Sequence, residues 1–420
     1  MPACVRRLLT AARLPTAAQL TCAVQLACAV QLRRAARLSH AARLLCSAAA
    51  TLALAGCAQV GSQIGYYAQS VGGHSALLQA ARPVDAVLAD PATPPDLRSR
   101  LEQAVAARRF ASQSLGLPDN DSYTRYADVK RPFVVWNVFA TPELSLRMKT
   151  SCFPVVGCLD YRGYYSETAA RATAQDLKAA GWEVTVGGVP AYSTLGWYDD
   201  PLVNTFIRYP AGEVARLIFH ELAHQTVYAP NDTMFNESFA TTVEEIGVER
   251  WLQQPDNAPI RDQYMAFAQR KRQFIALLLE TRRELEKAYG EDSPEARRAK
   301  APTRPDPVGL TDIQIAERRA AKAAILADLR VRYDALKRDA WQGYNGYDGW
   351  FAGEINNARF ASVATYHQWV PAFRVLYARC ASCQQGSLAP FFAEVKALAD
   401  LPSAERRRAL TALAALAAGG

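Results

Sequence analysis

Two histidines stand four residues apart in the segment RLIFHELAHQ, which runs from Arg216 to Gln225. On an α-helix, His220 and His224 would lie on one face, so both imidazoles could bind a single Zn²⁺. Glu221 follows the first histidine and is expected to act as a general base on water rather than as a ligand. The pattern therefore predicts the catalytic centre of a zinc-dependent hydrolase. The alternative is an amphipathic helix whose histidines form hydrogen bonds within the protein.

A zinc ion held by two helical histidines needs a third protein ligand and an open fourth position. The best candidate is Glu237, in the segment NESFA at the start of a second predicted helix. No HExxHxxGxxH continuation exists, because position 230 is proline and no histidine follows before His367. We therefore expect one Zn²⁺ bound by His220, His224 and Glu237.

Glu244 lies two helical turns after Glu237 and on the same predicted face. From there its carboxylate could accept a hydrogen bond from a ligating histidine and so orient the ring. The alternative is an ordinary solvated charge on the surface of the helix.

The segment HELAHQ followed by NESFA resembles the gluzincin pattern of aminopeptidase N-like and thermolysin-like zinc peptidases. More closely, YSTLGWYDDP, HELAHQ, NESFATTVEE and NNARFASVATY resemble a family of proteobacterial lipoproteins described as putative aminopeptidases. The resemblance covers most of the chain beyond the leader and implies the same three zinc ligands, with Glu221 as the catalytic base. It also implies a membrane-anchored zinc peptidase that hydrolyses peptide bonds. The Gly-x-Met-Glu-Asn motif with which aminopeptidase N-like enzymes bind a free amine is missing, so exopeptidase and endopeptidase both stay open.

Two aromatic residues near the C-terminus are candidates for stabilising the oxyanion of the transition state. Relatives of this class use a tyrosine or a histidine for that purpose, and Tyr366 and His367 are the candidates in this chain. The alternative is that both rings only pack on a C-terminal helix.

The segment YSTLGWYDDP is predicted to be extended from Tyr192 to Tyr198 and to form the edge of the substrate cleft. Gly196 would allow a peptide backbone to approach Trp197 closely. Asp199 or its neighbour Asp200 could bind a cationic group or an amino terminus. A plain turn at Asp-Asp-Pro is the alternative.

The positive charge of the chain belongs to its first residues. The 420 residues carry a formal charge of +8, and residues 1–57 contain seven arginines and no acidic residue. The remaining chain is therefore close to neutral, which argues against nucleic acid as a partner.

The stretch from Arg33 to Cys57 is typical of a secretory signal. Basic residues precede a short apolar run, and Leu-Ala-Gly-Cys resembles a bacterial lipobox in which Cys57 is lipidated. Ala58 offers no signal for retention at the inner membrane, so we expect an outer-membrane lipoprotein that faces the periplasm. The alternatives are a cleaved signal peptide without a lipid or an internal core helix.

Four cysteines remain beyond the leader and Cys57, an even number that suggests disulfides in an exported chain. We expect local pairing of Cys152 with Cys158 and of Cys380 with Cys383, although four cysteines allow three connectivities. The second pair, in a CxxC spacing, could also be redox-active or form half of a metal site.

Strand-like segments come before the metal motif and helical segments follow it. This order predicts an α+β, zincin-like fold with a small mixed sheet and a mainly helical C-terminal region. We expect a leader over 1–56, a catalytic core over 57–260, and a helical region over 261–420 that contains a long hairpin and packs on the core. That hairpin could form a lid or contact protein partners, which the sequence does not identify. A zincin fold without activity, serving as an envelope scaffold or chaperone, is the second functional hypothesis.

Overall fold

The computed structural model describes residues 65–153, 157–191, 194–293, 301–307 and 309–418. The predicted leader and Cys57 lie outside these residues. The chain divides into two compact units, Met1–Ala68 and Gln69–Gly420. Of the first unit, only the helical residues 65–68 are described, and everything below concerns the second. The predicted boundary after residue 260 stays a prediction.

The second unit is mixed α+β and mostly helical. After helical residues 69–80, its strands are β1 (Arg82–Pro83), β2 (Arg125–Ala127), β3 (Val135–Thr141), β4 (Ser151–Phe153), β5 (Gly157–Leu159), β6 (Arg162–Tyr164), β7 (Glu183–Val189) and β8 (Leu202–Val203). Its helices are α1 (Val84–Ala89), α2 (Pro95–Leu115), α3 (Glu167–Ala179), α4 (Asn204–Ile207), α5 (Ala211–His224), α6 (Thr233–Trp251), α7 (Ala258–Tyr289), α8 (Asp312–Ala335), α9 (Asp348–Phe351), α10 (Asn357–His367), α11 (Val370–Arg379), α12 (Ala389–Ala399) and α13 (Ser403–Ala418).

Three small sheets are present in the described part of the chain. Their strand orders are β1-β2-β8, β6-β3-β7 and β4-β5. Strand β3 is buried along its whole length and pairs antiparallel with β6 and β7, as a central strand with many apolar residues should. Among the described strands, β2 and β8 are the pair that runs in parallel. The long helices and strands β3, β6 and β7 match the patterns in the sequence, whereas the short strands β1, β2, β4 and β8 were missed.

Helices α5 and α6 form the centre of the main core. Helix α5 begins after Pro210, and twelve of its fourteen residues are buried. Its Phe219 lies against Gly247 of α6, where an added Cβ would come within 2.6 Å of the ring. Glycine therefore permits the close approach of the helices that carry the two histidines and Glu237.

Helix α10 connects the central sheet with the core helices. It packs against β3, β7, α6 and α7. At its start the buried amide of Asn357 donates hydrogen bonds to the carbonyls of Pro142, Glu143 and Ser145, at 3.2, 2.7 and 3.1 Å. Its side-chain oxygen accepts a bond from the hydroxyl of Tyr289 in α7. These bonds fix the helix that carries Tyr366 and His367.

The long helical hairpin is present and packs through its own core. Helices α7 and α8 contact one another, and their cluster includes Phe274, Leu278, Leu329 and Tyr333. Within the described residues, no helix combines the length and the apolar character that crossing a membrane requires.

The prediction of an extended stretch from Tyr192 to Tyr198 was wrong for the part that is described. Tyr192 lies outside the described residues, and residues 194–198 form a turn. Leu195 and Gly196 both have positive φ angles, 58° and 81°. The carboxylate of Asp200 closes the turn by accepting hydrogen bonds from the amide and hydroxyl of Thr194. This short-range capping overrides the strand propensity of the aromatic residues.

Candidate metal centre

The loop between α5 and α6 sets the distance between the histidines and Glu237. The side chain of Asn236 accepts a hydrogen bond from the amide of Ala229 at 2.7 Å and donates one to its carbonyl at 2.9 Å. Asp232 caps α6 by accepting from the amide of Phe235. Its other oxygen accepts from Arg406 of α13. The loop is therefore held at both ends, and Glu237 enters the first turns of α6 facing α5.

His220, His224 and Glu237 form one buried group. The Nε2 atoms of the two histidines are 3.2 Å apart, and an oxygen of Glu237 lies 3.2 Å from the first and 3.5 Å from the second. All three residues are buried. Among the described residues this is the single set of three or more potential ligands close enough to share an ion.

The geometry of this group fits a tetrahedral metal ion. Ligands at 2.0–2.1 Å from zinc in a tetrahedral site are separated from one another by about 3.3 Å. The three measured separations lie close to that value. The three ligand atoms face one another instead of each facing a different partner. A shared cation requires this arrangement. The residues therefore fit a metal ion with two nitrogen donors and one oxygen donor.

Glu244 is not a solvated charge. It is 2% exposed, and its carboxylate accepts a hydrogen bond from Nδ1 of His220 at 2.9 Å, which leaves Nε2 directed at the metal group. Arg216 donates to the same Glu244 oxygen at 2.6 Å and also binds Glu213, which accepts a bond from Tyr264. A chain of paired charges thus extends from His220 along one face of α5.

The charges of the group shift its proton equilibria. Burial alone would lower the pKa of His220, but the carboxylates of Glu237 and Glu244 raise it to about 10. Burial would raise the pKa of Glu237, yet the nearby histidines lower it to about 2. The pKa of Glu221 is raised, chiefly by burial, with His220 and His224 opposing the shift. A raised pKa suits a carboxylate that accepts a proton during a reaction.

Tyr366 and His367 occupy different surroundings. The ring of Tyr366 lies 6.3 Å from that of His220, centroid to centroid, and burial raises its pKa well above the usual value. His367 lines a cavity with Arg216 and Glu244, and burial lowers its pKa to about 4. Of the two candidates, Tyr366 is thus the one whose ring lies beside that of a predicted metal ligand, in a tilted arrangement.

The predicted substrate edge lies on the turn at residues 194–198. Gly196 approaches Gln225 at the end of α5, since an added Cβ would be 3.4 Å from its side chain. Trp197 is 74% exposed, and Asp199 is exposed as well. Asp200 is buried and forms part of the turn instead. These residues remain candidates for substrate contact.

The structure joins Cys152 to Cys158 and Cys380 to Cys383, the local pairing expected from the sequence. The first bond links β4 to β5 across their hairpin. The second closes the turn between α11 and α12. With both thiols in a disulfide, the alternative of half a metal site for Cys380 and Cys383 loses its basis.

Sequence reasoning missed Asn236, Arg216 and Tyr264. The asparagine stands directly before Glu237 in NESFA, and this position relative to the helix start is the signal that could have indicated a loop-closing role. Arg216 and Tyr264 act through Glu213 and Glu244, so their roles depend on contacts between helices that no local pattern shows.

The chain is thus a mixed, mostly helical α+β protein with a buried candidate metal site of two histidines and one glutamate. Residues 65–305 and 308–410 match the family described as "Putative aminopeptidase", and the chain belongs to it. No match is found among curated proteins or among solved structures.

Proposed function

We propose that the protein is a zinc-dependent peptidase that acts as an aminopeptidase, with a zincin-like core. The observation that carries the proposal is the set of ligand separations between His220, His224 and Glu237, which matches a tetrahedral ion. The family description supports peptide hydrolysis. Glu221, one residue from the first ligand, supplies a base at the position that this chemistry uses.

Each residue of the site has a separate role in the proposed reaction. His220, His224 and Glu237 would hold the zinc ion, and Glu244 keeps the His220 ring in the binding orientation. When bound, zinc supplies Lewis acidity towards the scissile carbonyl and makes water nucleophilic at neutral pH. Glu221 accepts a proton from the attacking water and delivers it to the leaving amine. Tyr366, beside His220, donates a hydrogen bond to the developing oxyanion.

The test combines metal analysis with hydrolysis of unblocked peptides. We expect one zinc ion per chain, and Glu221→Gln should lower kcat by roughly 10²–10⁴-fold while the metal content stays unchanged. His224→Ala should lose both metal and activity. Glu394→Gln, on an exposed position of α12, is the matched control and should behave as the wild type.

Three results would argue against the proposal: activity that survives Glu221→Gln, full activity in metal-free protein, or a failure to bind zinc. Stoichiometric zinc without hydrolysis of any peptide would favour the inactive envelope scaffold instead. Acetylation of the amino terminus of a substrate peptide distinguishes an aminopeptidase from an endopeptidase. An aminopeptidase loses activity on the acetylated peptide, and an endopeptidase keeps it.

We also propose that a lipid on Cys57 anchors the protein to the periplasmic face of the outer membrane. The support is the order of basic, apolar and small residues before the cysteine. Labelled palmitate should enter the wild-type protein and not Cys57→Ser. Equal labelling of both proteins would contradict the assignment.

A further inference from the structure

A cavity of about 520 Å³ lies between helices α6, α7 and α11. Much of its wall is apolar, and the apolar side chains come from all three helices: Val248, Leu252, Met265, Ile275, Leu279 and Val370. A pocket of this size and lining suits a small ligand with an apolar group. Among the described residues that line it, none is a ligand of the metal group.

The acidic residues of this cavity already have cationic partners. Glu244 binds Arg216, and both Glu245 and Glu249 bind Arg374. Each of these carboxylates therefore has an arginine partner inside the protein, and a cationic ligand would have to compete with arginines that are held by several bonds each.

Lys271, on α7, is a partly buried cation of the cavity lining. Unlike Arg216 and Arg374, it forms no ion pair with any residue that the structure describes. Burial, followed by the charge of Arg216, lowers the pKa of its ammonium group. Arg272, the other unpaired cation of the lining, is exposed at the protein surface. Lys271 is thus the partly buried cation of the lining that is left for an anionic ligand, and the carboxylates of Glu213, Glu244 and Glu245 are near enough to oppose the lowering of its pKa.

We propose that this cavity binds a small carboxylate that carries an apolar group, with Lys271 as the counter-ion of the carboxylate. The apolar group would lie against the walls formed by α6, α7 and α11, where burial removes it from water. The carboxylate would accept charge-assisted hydrogen bonds from the ammonium. Two sources share this chemistry, a fatty-acid anion and the free carboxyl end of an apolar peptide. The proposal does not depend on whether the metal group is catalytic.

The experiment measures binding of decanoate, below its micelle concentration, and of N-acetyl-leucyl-leucine by isothermal titration calorimetry on the full chain. We expect saturable binding at one site, weakened about tenfold or more in Lys271→Met. Lys287→Met is the matched control, since it makes the same change at an exposed position of the same helix. Whichever carboxylate binds more tightly identifies the source.

Two further comparisons separate the cavity from the metal group. Lys271→Met leaves all three metal ligands in place, so a carboxylate held at the metal would bind equally to wild type and variant. Ala268→Phe, which adds a ring to the cavity wall, should weaken both decanoate and decanol, whereas Lys271→Met should weaken decanoate alone. Equal affinity of wild type and Lys271→Met for both carboxylates, or no saturable binding to the wild type, would overturn the proposal.

Discussion

Glu244 accepts a hydrogen bond from Nδ1 of His220 at 2.9 Å, two turns beyond Glu237 on the same helix. One helix therefore supplies both a proposed metal ligand, Glu237, and the carboxylate that orients another proposed ligand, His220. Carboxylates in this position typically strengthen metal binding by raising the basicity of the histidine.

We predict that Glu244→Gln weakens zinc binding by about 10- to 100-fold, because the amide lacks the charge that makes His220 a stronger donor. Competition with a chromophoric chelator measures the affinity. Glu245→Gln changes the next residue, whose carboxylate binds Arg374, and should leave zinc affinity unchanged. Equal zinc affinity in both variants would contradict the orienting role.

Replacement of Tyr366 by phenylalanine tests its contribution to the transition state. If the hydroxyl stabilises the oxyanion, kcat should fall by roughly 10²–10³-fold with little change in KM. Steady-state kinetics on a cleaved peptide separate the two parameters. Tyr377→Phe, which alters a tyrosine in contact with Arg250, serves as the control. An unchanged kcat in Tyr366→Phe would mean that the ring only packs beside His220.

Asp200 should make stability depend on pH. It is 1% exposed, and burial raises its pKa to about 7, against the opposing hydrogen bonds from Thr194. Between about pH 4 and pH 7 the folded protein therefore keeps a proton at Asp200 that the unfolded chain has lost. The free energy of unfolding from this group accordingly falls as pH rises through that range, by up to about 4 kcal/mol.

Asp200→Asn should remove this dependence, because the amide does not titrate. Urea denaturation of metal-free protein at several pH values between 4.5 and 7.5 measures the difference from the wild type. Asp199→Asn, at the exposed neighbouring position, should keep the wild-type slope. Parallel pH profiles for the wild type and Asp200→Asn would contradict the prediction.

The buried amide of Asn357 should be important for stability. Asn357→Ala removes three hydrogen bonds to backbone carbonyls and leaves those carbonyls and the hydroxyl of Tyr289 without this partner. We expect a loss of about 3 kcal/mol in the free energy of unfolding, measured by urea denaturation. Asn345→Ala, at an exposed position, should change it by less than about 0.5 kcal/mol. A similar small change in Asn357→Ala would show that water replaces the lost bonds.

The two central helices of the site could be predicted because the sequence pattern that indicates each helix lies within the helix itself. The four-residue spacing of His220 and His224 places them on one face of α5, and the helices that the sequence predicts over Gly212–Tyr228 and about Asn236–Leu252 differ from α5 and α6 only near their ends. The approach of Tyr366 to His220 could not be predicted. It depends on α10, which Asn357 binds to a loop more than 200 residues earlier in the chain.

The prediction of an extended stretch was wrong at residues 194–198 because a nearby hydrogen-bonding group outweighs the strand preference of the sequence. Its aromatic residues favour a strand, but one buried carboxylate, Asp200, accepts both hydrogen bonds from Thr194 and fixes the backbone. The strands β1 and β8 are two residues long, which is too short for any alternating pattern to appear.

The candidate metal group comes from two consecutive helices, and its outer members, His220 and Glu237, are 17 residues apart in the chain. Tyr366 and the cavity wall formed by α11 come much later. Under the proposed function, the segment that would hold the ion is therefore continuous in the chain and complete before the residue proposed to contact the substrate.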